Sequence, residues 1–337
     1  MNPIVSIITP TFNQEKYIED CINSVLRQTV KEWEMIIIDD GSTDTSPGII
    51  RRFDDSRIIY RVKKHRGMDH LGETYNDALD LSKGEYILIL EGDDFIPANR
   101  IEIQLSAFED RGVVLSHGKY AYVLGKKIVV YPTLFENDIL NNEPLGSALK
   151  AFLHGFNPIG TQSVMVRKSA LLEVGGFTQP PYLPLVDYPT WMRLSLSGRF
   201  VYIPQVLGYW RRHAVSVTMN RSEEILNGYM KYCDEFITFF DNELKDLRLK
   251  TFIDRRGAIA YLSLAWIRLS NKDWGNALRL ARKSWNLNEG LCRSFRIKIV
   301  IAIVSAYLHL DIPKFLKKMA EFFYREEMSE GTMLGQY

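Results

Sequence analysis

Met35-Ile36-Ile37-Ile38-Asp39-Asp40-Gly41 and Tyr86-Ile87-Leu88-Ile89-Leu90-Glu91-Gly92-Asp93-Asp94 decide the fold. Each is an unbroken apolar run that stops at carboxylates. Strands covered by helices on both faces read this way, whereas a half-exposed strand alternates apolar and polar. Toward the N-terminus, Ile4 to Ile8 is a further run, ending at Thr9-Pro10. Between these runs, Ile18, Cys21, Ile22, Val25 and Leu26 fall at i, i+3, i+4, i+7 and i+8, one face of a helix. Ile58-Ile59-Tyr60 is another strand candidate. Strand alternating with helix predicts an open α/β sheet through about residue 110.

Further along, Val113-Val114-Leu115 and Ile128-Val129-Val130-Tyr131 read as strands flanking a turn with Gly125. Ser163 to Arg167 and Phe200-Val201-Tyr202-Ile203 read as strands too. Residues 132–160, rich in Asn, Pro and Gly, read as a long surface segment. Ser169 to Val174 reads as a short helix ended by Gly175-Gly176. Tyr188 to Ser197 reads as a helix with Pro189 in its first turn and Gly198 past its end. After about residue 221 only Pro313 remains among the prolines and helical periodicity takes over. A boundary is therefore expected near 215–222, with an α/β domain over 1–218 and an all-α domain over 219–337.

The 337 residues are 46% hydrophobic and 25% charged, enough for a sizeable core and incompatible with wholesale disorder. Forty-two Lys and Arg against 41 Asp and Glu leave a net charge of +1, so a nucleic-acid partner is not expected. Cys21, Cys233 and Cys292 are far apart and form no CxxC pair, which fits a reducing compartment. Met1-Asn2-Pro3 runs straight into the first apolar run without a basic, signal-like opening. No window of 18 uninterrupted apolar residues suggests a spanning helix. The expected location is cytoplasmic, either free or at the inner face of the cell membrane.

In an open parallel sheet, ligands bind at the carboxyl ends of the strands, which is where Asp39-Asp40 and Glu91-Gly92-Asp93-Asp94 fall. Acids crowded at one sheet edge repel each other unless a cation joins them, and a divalent metal takes such hard oxygen ligands. Glu91 and Asp93 are two apart, so extended backbone points both to one side. The alternative is that these acids are loop or helix-cap residues. No Gly-x-Gly-x-x-Gly and no Gly-x4-Gly-Lys-Ser/Thr is present, so a phosphate-bearing substrate needs a metal and side chains to hold its charge.

Six motifs, in order, resemble those of family 2, GT-A type inverting glycosyltransferases over about residues 3–218. They are Val5 to Asn13; Ser24 to Thr29; Glu34 to Asp44; Gly84 to Asp94; Gly175-Gly176-Phe177 with Asp187-Tyr188 and Trp191-x-Arg193-Leu194; and Tyr209 to His213. The resemblance implies a GT-A type open mixed sheet flanked by helices. By position it implies that Pro10 and Phe12 line a nucleobase pocket with Glu15 nearby, and that Asp40 accepts a hydrogen bond from the base. A carboxylate suits the ring N–H of uracil, so a UDP-sugar donor is expected. Asp93 is implied as ligand of a divalent metal, Mn²⁺ or Mg²⁺, with Asp94 a further contact. Glu91, the other metal contact, stands where the family usually has Asp; its longer side chain reaches the metal through water, or not at all. His213 is either a metal or diphosphate contact or structural. Asp187 matches the family's general base, although Val186 replaces the usual preceding acid; a plain helix-cap role is the alternative. Trp191 is read as core rather than a sugar-stacking platform.

Within the tail, Tyr261 to Arg268 and Trp274 to Ala281 loosely resemble one helix pair of a tetratricopeptide array, and a helical subdomain is the preferred reading. Ile297 to Leu310 is mostly apolar but too short to span a bilayer. Over 291–318, six basic residues face one acid, a charge of +5. That suits a helix lying in an anionic membrane surface, with an internal helix as the equal alternative. The expected activity is metal-dependent transfer of a sugar from a nucleotide diphosphate to a hydroxyl of a cell-envelope polysaccharide or lipid-linked saccharide. The rivals are a non-catalytic sugar-binding scaffold and a sugar-nucleotide pyrophosphorylase. The latter normally opens with a Gly-rich, Arg-containing loop, and here the loop is Pro10-Thr11-Phe12-Asn13. Oligomeric state has no sequence signal.

Overall fold

A computed structural model describes residues 2–124, 127–131, 135–153, 156–211, 222–247, 249–287 and 293–309. The chain divides into two compact units, residues 1–148 with 158–220, and residues 149–157 with 221–337.

The first unit is built on one mixed sheet. Its strands are β1 (Val5–Thr11), β2 (Trp33–Asp39), β3 (Ile58–Val62), β4 (Tyr86–Ile89), β5 (Val113–Leu124), β6 (Lys127–Val130), β7 (Met165–Arg167) and β8 (Arg199–Arg211). They run in the order β3-β2-β1-β4-β7-β5-β6, with β8 paired to β5. The first four are mutually parallel. β7 is antiparallel to β4 and to β5, and β8 is parallel to β5. The unbroken apolar runs follow from burial on both faces. Val5, Ile7, Met35, Ile37 and Leu88 share a core cluster with Ile18, Cys21, Ile22 and Val25 of helix α1 (Ile18–Leu26). The alternate residues Ile8, Ile36, Ile38, Ile87 and Ile89 are also buried.

Register then sets the site. Thr11 pairs with Asp39 and Ile8 with Ile89, so the carboxyl ends of β1, β2 and β4 lie side by side. The loops leaving those ends carry Phe12, Asp40 and Glu91. Helices α2 (Ser46–Ile50), α3 (Leu71–Leu81) and α4 (Arg100–Leu105) follow β2, β3 and β4 in the chain.

The reading of 132–160 as a surface segment is corrected. Its described part holds α5 (Asn137–Asn141) and α6 (Ser147–Leu153), and Ile139, Leu140, Ala148, Leu149, Phe152 and Leu153 are buried. Helices of five and seven residues are too short to show a 3.6-residue period in a turn-rich stretch. α7 (Lys168–Glu173) and α8 (Asp187–Leu194) complete the unit's helices among the described residues.

The second unit contains α9 (Ser222–Phe239), α10 (Asp241–Asp246), α11 (Lys250–Ser270), α12 (Trp274–Asn286) and α13 (Arg293–Leu308). α9 buries Leu226, Tyr229, Cys233 and Phe236, a 3.6-residue stripe, and the Tyr229 hydroxyl donates to the Leu153 carbonyl at 2.8 Å. α11 packs on α12, and α12 on α13. Cys21 and Cys233 are buried free thiols, while Cys292 lies outside the described residues. Among the described residues no helix is long and apolar enough to cross a membrane.

Candidate active site

Leaving β4, the chain places Glu91, Asp93 and Asp94 so that one carboxylate oxygen of each lies within 4.8 Å of the others. Burial, then the charge of Asp93, pushes the Glu91 carboxyl up to about 7. Burial, then Asp93 and Glu91, pushes Asp94 well above the usual carboxylate range. The neighbouring acids thus disfavour the charged forms of Glu91 and Asp94. Asp94 Oδ1 accepts the Arg211 backbone N–H at 2.9 Å. Its Oδ2 is buried with no hydrogen-bond partner among the described residues. An orphaned carboxylate oxygen beside two further carboxylates is a hard, anionic donor set, and it fits a divalent cation such as Mg²⁺ or Mn²⁺.

Two elements hold this loop. Gly92 lies against β1: a Cβ there would be 2.8 Å from Thr11 Oγ1 and 3.0 Å from Thr11 Cβ. Only glycine allows that approach. From the end of β8, Arg211 donates to the Asp93 carbonyl (2.9 Å) and to Asp20 Oδ2 (2.8 Å), with its guanidinium 4.5 Å from the Phe95 ring centroid. His213, two residues on, lies outside the described residues.

On the acceptor side, Asp187 is the first residue of α8, and Val186 holds the cap position. A carboxylate at a helix N-terminus is favoured in its charged form. Thr161 Oγ1 donates to Asp187 Oδ2 at 3.0 Å, and the Asp187 charge adds to the upward push on the Glu91 carboxyl and the Tyr75 hydroxyl. Tyr75, buried on α3, donates its hydroxyl to Glu91 Oε1 at 2.9 Å. Asn76, beside it, receives the Phe177 N–H at 2.9 Å and donates to the Phe177 carbonyl at 2.8 Å. This amide clamp joins the Gly175-Gly176-Phe177 motif to α3. The structure thus groups Glu91, Asp93 and Asp94, with Asp187, from a distant segment of the chain, close enough for its charge to act on Glu91.

At the end of β2, the two acids differ. Asp39 is fully buried; its oxygens accept the Ser42 N–H (2.8 Å) and the Tyr60 hydroxyl (2.6 Å), a turn-forming role. Asp40 faces the loop after β3. Its carboxylate accepts the backbone N–H of Gly67 (3.0 Å) and of Arg66 (3.2 Å), and its Oδ2 lies 2.8 Å from His65 Nδ1. Phe12 stacks on the His65 ring with centroids 4.0 Å apart. Pro10 is buried in β1, opposite Ile38. Glu15 is turned elsewhere: its Oε2 takes the Thr45 hydroxyl (2.7 Å) and N–H (3.1 Å), latching the loop after β1 to the one after β2. Trp191 is fully buried, as expected of a core residue. Sequence reasoning did not single out Tyr75, Thr161 or His65. Their partners are 16 to 26 residues away, at spacings that carry no local pattern.

Residues 6–173 match the family described as Glycosyl transferase family 2. Among relatives, the chain is 30% identical over 224 residues to the Escherichia coli UDP-Glc:alpha-D-GlcNAc-diphosphoundecaprenol beta-1,3-glucosyltransferase WfaP, covering 66% of this chain and 83% of that one. It is 38% identical over 226 residues to an uncharacterized glycosyltransferase of Haemophilus influenzae, covering 65% of this chain and 83% of the other. Among solved structures, S. aureus TarS 1-349 in complex with UDP-GlcNAc aligns with TM-score 0.53 at 18% identity, over 91% of this chain and 90% of that one. Whole TarS is longer, and this chain spans 55% of it. The mannosyltransferase PcManGT from Pyrobaculum calidifontis, in complex with GDP-Man and Mn²⁺, aligns with TM-score 0.54 at 18% identity, over 91% of this chain and 88% of that one. These likenesses establish the GT-A fold.

Proposed function

The chain belongs to glycosyltransferase family 2, and from that premise we propose that it is an inverting, metal-dependent transferase using a UDP-sugar donor and a saccharide or lipid-linked saccharide acceptor. The observation that carries the reading is the cluster of Glu91, Asp93 and Asp94 at the carboxyl edge of the parallel strands, with the Asp187 charge near enough to help raise the Glu91 carboxyl. A scaffold without catalysis has no use for three mutually repelling acids, one of them fully buried.

In this reading Asp187 is the general base. An acceptor hydroxyl attacks the sugar C1 from the face opposite the diphosphate. Its proton passes to an Asp187 carboxylate oxygen, the new O–C1 bond forms, and the C1–diphosphate bond breaks with its electron pair leaving on the nucleotide. The Thr161 hydroxyl holds Asp187 in the orientation that accepts this proton. Asp93, Glu91 and Asp94 would hold a divalent cation, which would supply positive charge against that growing on the diphosphate. Tyr75 fixes Glu91, and Arg211 fixes the Asp93–Asp94 backbone. Pro10, Phe12 and Asp40 receive the nucleobase, and Glu15 supports their loop through Thr45.

WfaP, named for its diphosphoundecaprenol-linked acceptor, supports a lipid-linked acceptor here, and such an acceptor places the proposed action at a membrane surface, taken here as the cytoplasmic face. The second unit is then the membrane-facing one. Helix α13 exposes Val300, Val304, Tyr307 and Leu308 on one stripe, continued by Arg293 and Arg296. Apolar residues with basic neighbours suit an anionic lipid surface.

Calorimetric titration of UDP, GDP and dTDP, with and without Mn²⁺, tests the donor site in wild type and Asp93→Ala. Metal-dependent UDP binding that the variant loses is the expected result. Absence of nucleotide binding under every condition refutes the transferase reading and favours the scaffold one.

A further inference from the structure

We propose that His65 is an internal stand-in for the donor's nucleobase, so that the donor binds only by displacing it; this rests on the donor-site reading above. The imidazole is a flat heteroaromatic ring lying on Phe12, with centroids 4.0 Å apart and planes inclined by 16°. Its Nδ1 is 2.8 Å from Asp40 Oδ2 and 2.9 Å from the Asp40 carbonyl oxygen. Both neighbours are acceptors, so Nδ1 carries the hydrogen. A stack on Phe12 and a ring N–H given to Asp40 are the two contacts assigned to the base. The ring and a base compete for the same aromatic face and the same carboxylate.

The carboxylate has little capacity left. Asp40 also accepts the N–H groups of Arg66 and Gly67. Those are main-chain bonds of the loop, whereas the imidazole is the one donor that a nucleobase replaces in kind. Uracil and guanine carry such a ring N–H, while neutral cytosine and adenine do not. The loop is held in place from beneath. Gly41 has φ +78°, and a Cβ there would meet the His65 backbone nitrogen at 2.9 Å and the Lys63 carbonyl at 3.0 Å. Lys63 N–H donates to the Asp39 carbonyl at 2.9 Å. The His65 side chain is 48% exposed and that of Asp40 only 13%, so the ring has a way out into solvent while the carboxylate stays.

A site covered by its own side chain binds more weakly by the fraction of time it is open. If the ring covers it about nine-tenths of the time, His65→Ala tightens UDP binding about tenfold. The experiment is calorimetry of UDP with Mn²⁺ on wild type and His65→Ala, with imidazole NMR of the wild type, the His65 signals assigned through bonds from its backbone. Support is a tenfold lower Kd in the folded variant, and His65 resonances that move to those of a free imidazole at saturating UDP. An equal or weaker affinity in His65→Ala, with wild type still binding UDP, overturns the stand-in and leaves the donor site standing. His65 resonances unmoved at saturating UDP overturn it even if the variant does not fold. Absence of UDP binding to both proteins overturns the donor site and the stand-in together.

Discussion

Gly92→Ala removes no charged and no hydrogen-bonding group, yet it presses on the centre of the acidic loop. The added Cβ would stand 2.2 Å from Gln14 Oε1, 2.8 Å from Thr11 Oγ1 and 3.0 Å from Thr11 Cβ. Gln14 offers the end of a flexible side chain and turns away, losing the 2.7 Å bond from the Thr11 hydroxyl. Thr11 cannot follow: it is buried in β1 and paired with Asp39. Restoring a carbon–carbon contact of about 3.5 Å moves the Glu91–Asp93 backbone by about 0.5 Å. It also strains the bond from Gly92 N–H to the Pro10 carbonyl, now 3.1 Å. Overpacking of this kind costs about 1–3 kcal/mol of stability. A 1 Å misplacement of catalytic groups costs about a hundredfold in rate, so half of that predicts about a tenfold fall in kcat/KM. Urea unfolding, Mn²⁺-dependent UDP binding and UDP release from a donor sugar measure the three effects. Adding Gln14→Ala relieves the shortest contact and leaves Thr11, so the double variant recovers only part of the loss. Wild-type turnover in Gly92→Ala, or complete rescue by Gln14→Ala, would refute the argument that β1 sets the carboxylates' position.

Thr161→Val keeps the side-chain volume but deletes the hydroxyl given to Asp187; a hydrogen bond to a charged group is worth about 1.5–3 kcal/mol, so kcat is expected to fall by about tenfold or more with donor KM unchanged. Unaltered kcat in a folded variant removes Thr161 from the proposed mechanism. Arg211→Met keeps some packing against Phe95 but frees the Asp93 carbonyl, and metal-dependent UDP affinity is expected to weaken about five- to tenfold; wild-type affinity contradicts this role. His117 is buried, its Nε2 lies 2.7 Å from the Leu140 carbonyl, and burial pulls it from 6.5 down to about 4. Between those values the unfolded chain holds a proton that the folded one lacks, so stability rises with pH across the window and is lost as pH falls through it. The gap corresponds to about 3 kcal/mol. Urea unfolding at pH ~7 and ~4.5 should show His117→Gln losing less stability on acidification than wild type, and equal losses contradict the assignment.

Much of this was legible without coordinates. The runs before Asp39 and Glu91 are recognisable as buried parallel strands because a strand covered on both faces has no polar side to show, and that one constraint also puts the acids at the sheet's ligand-binding edge. The stripe of Ile18, Cys21, Ile22 and Val25 likewise announces its helix, since one face must be apolar. Residues 132–160 were misread because α5 and α6 are too short for periodicity to outweigh their Asn, Pro and Gly. The identities of the acids were readable; their company was not. That Tyr75 serves Glu91, that Thr161 serves Asp187, that Glu15 turns to Thr45, and that His65 lies on Phe12 depend on side chains meeting across loops. Local sequence sets which face of a strand or helix is buried, because burial is a property of each residue's own chemistry. Tertiary structure alone decides which polar groups converge, because pairing depends on how separate segments come to lie against one another.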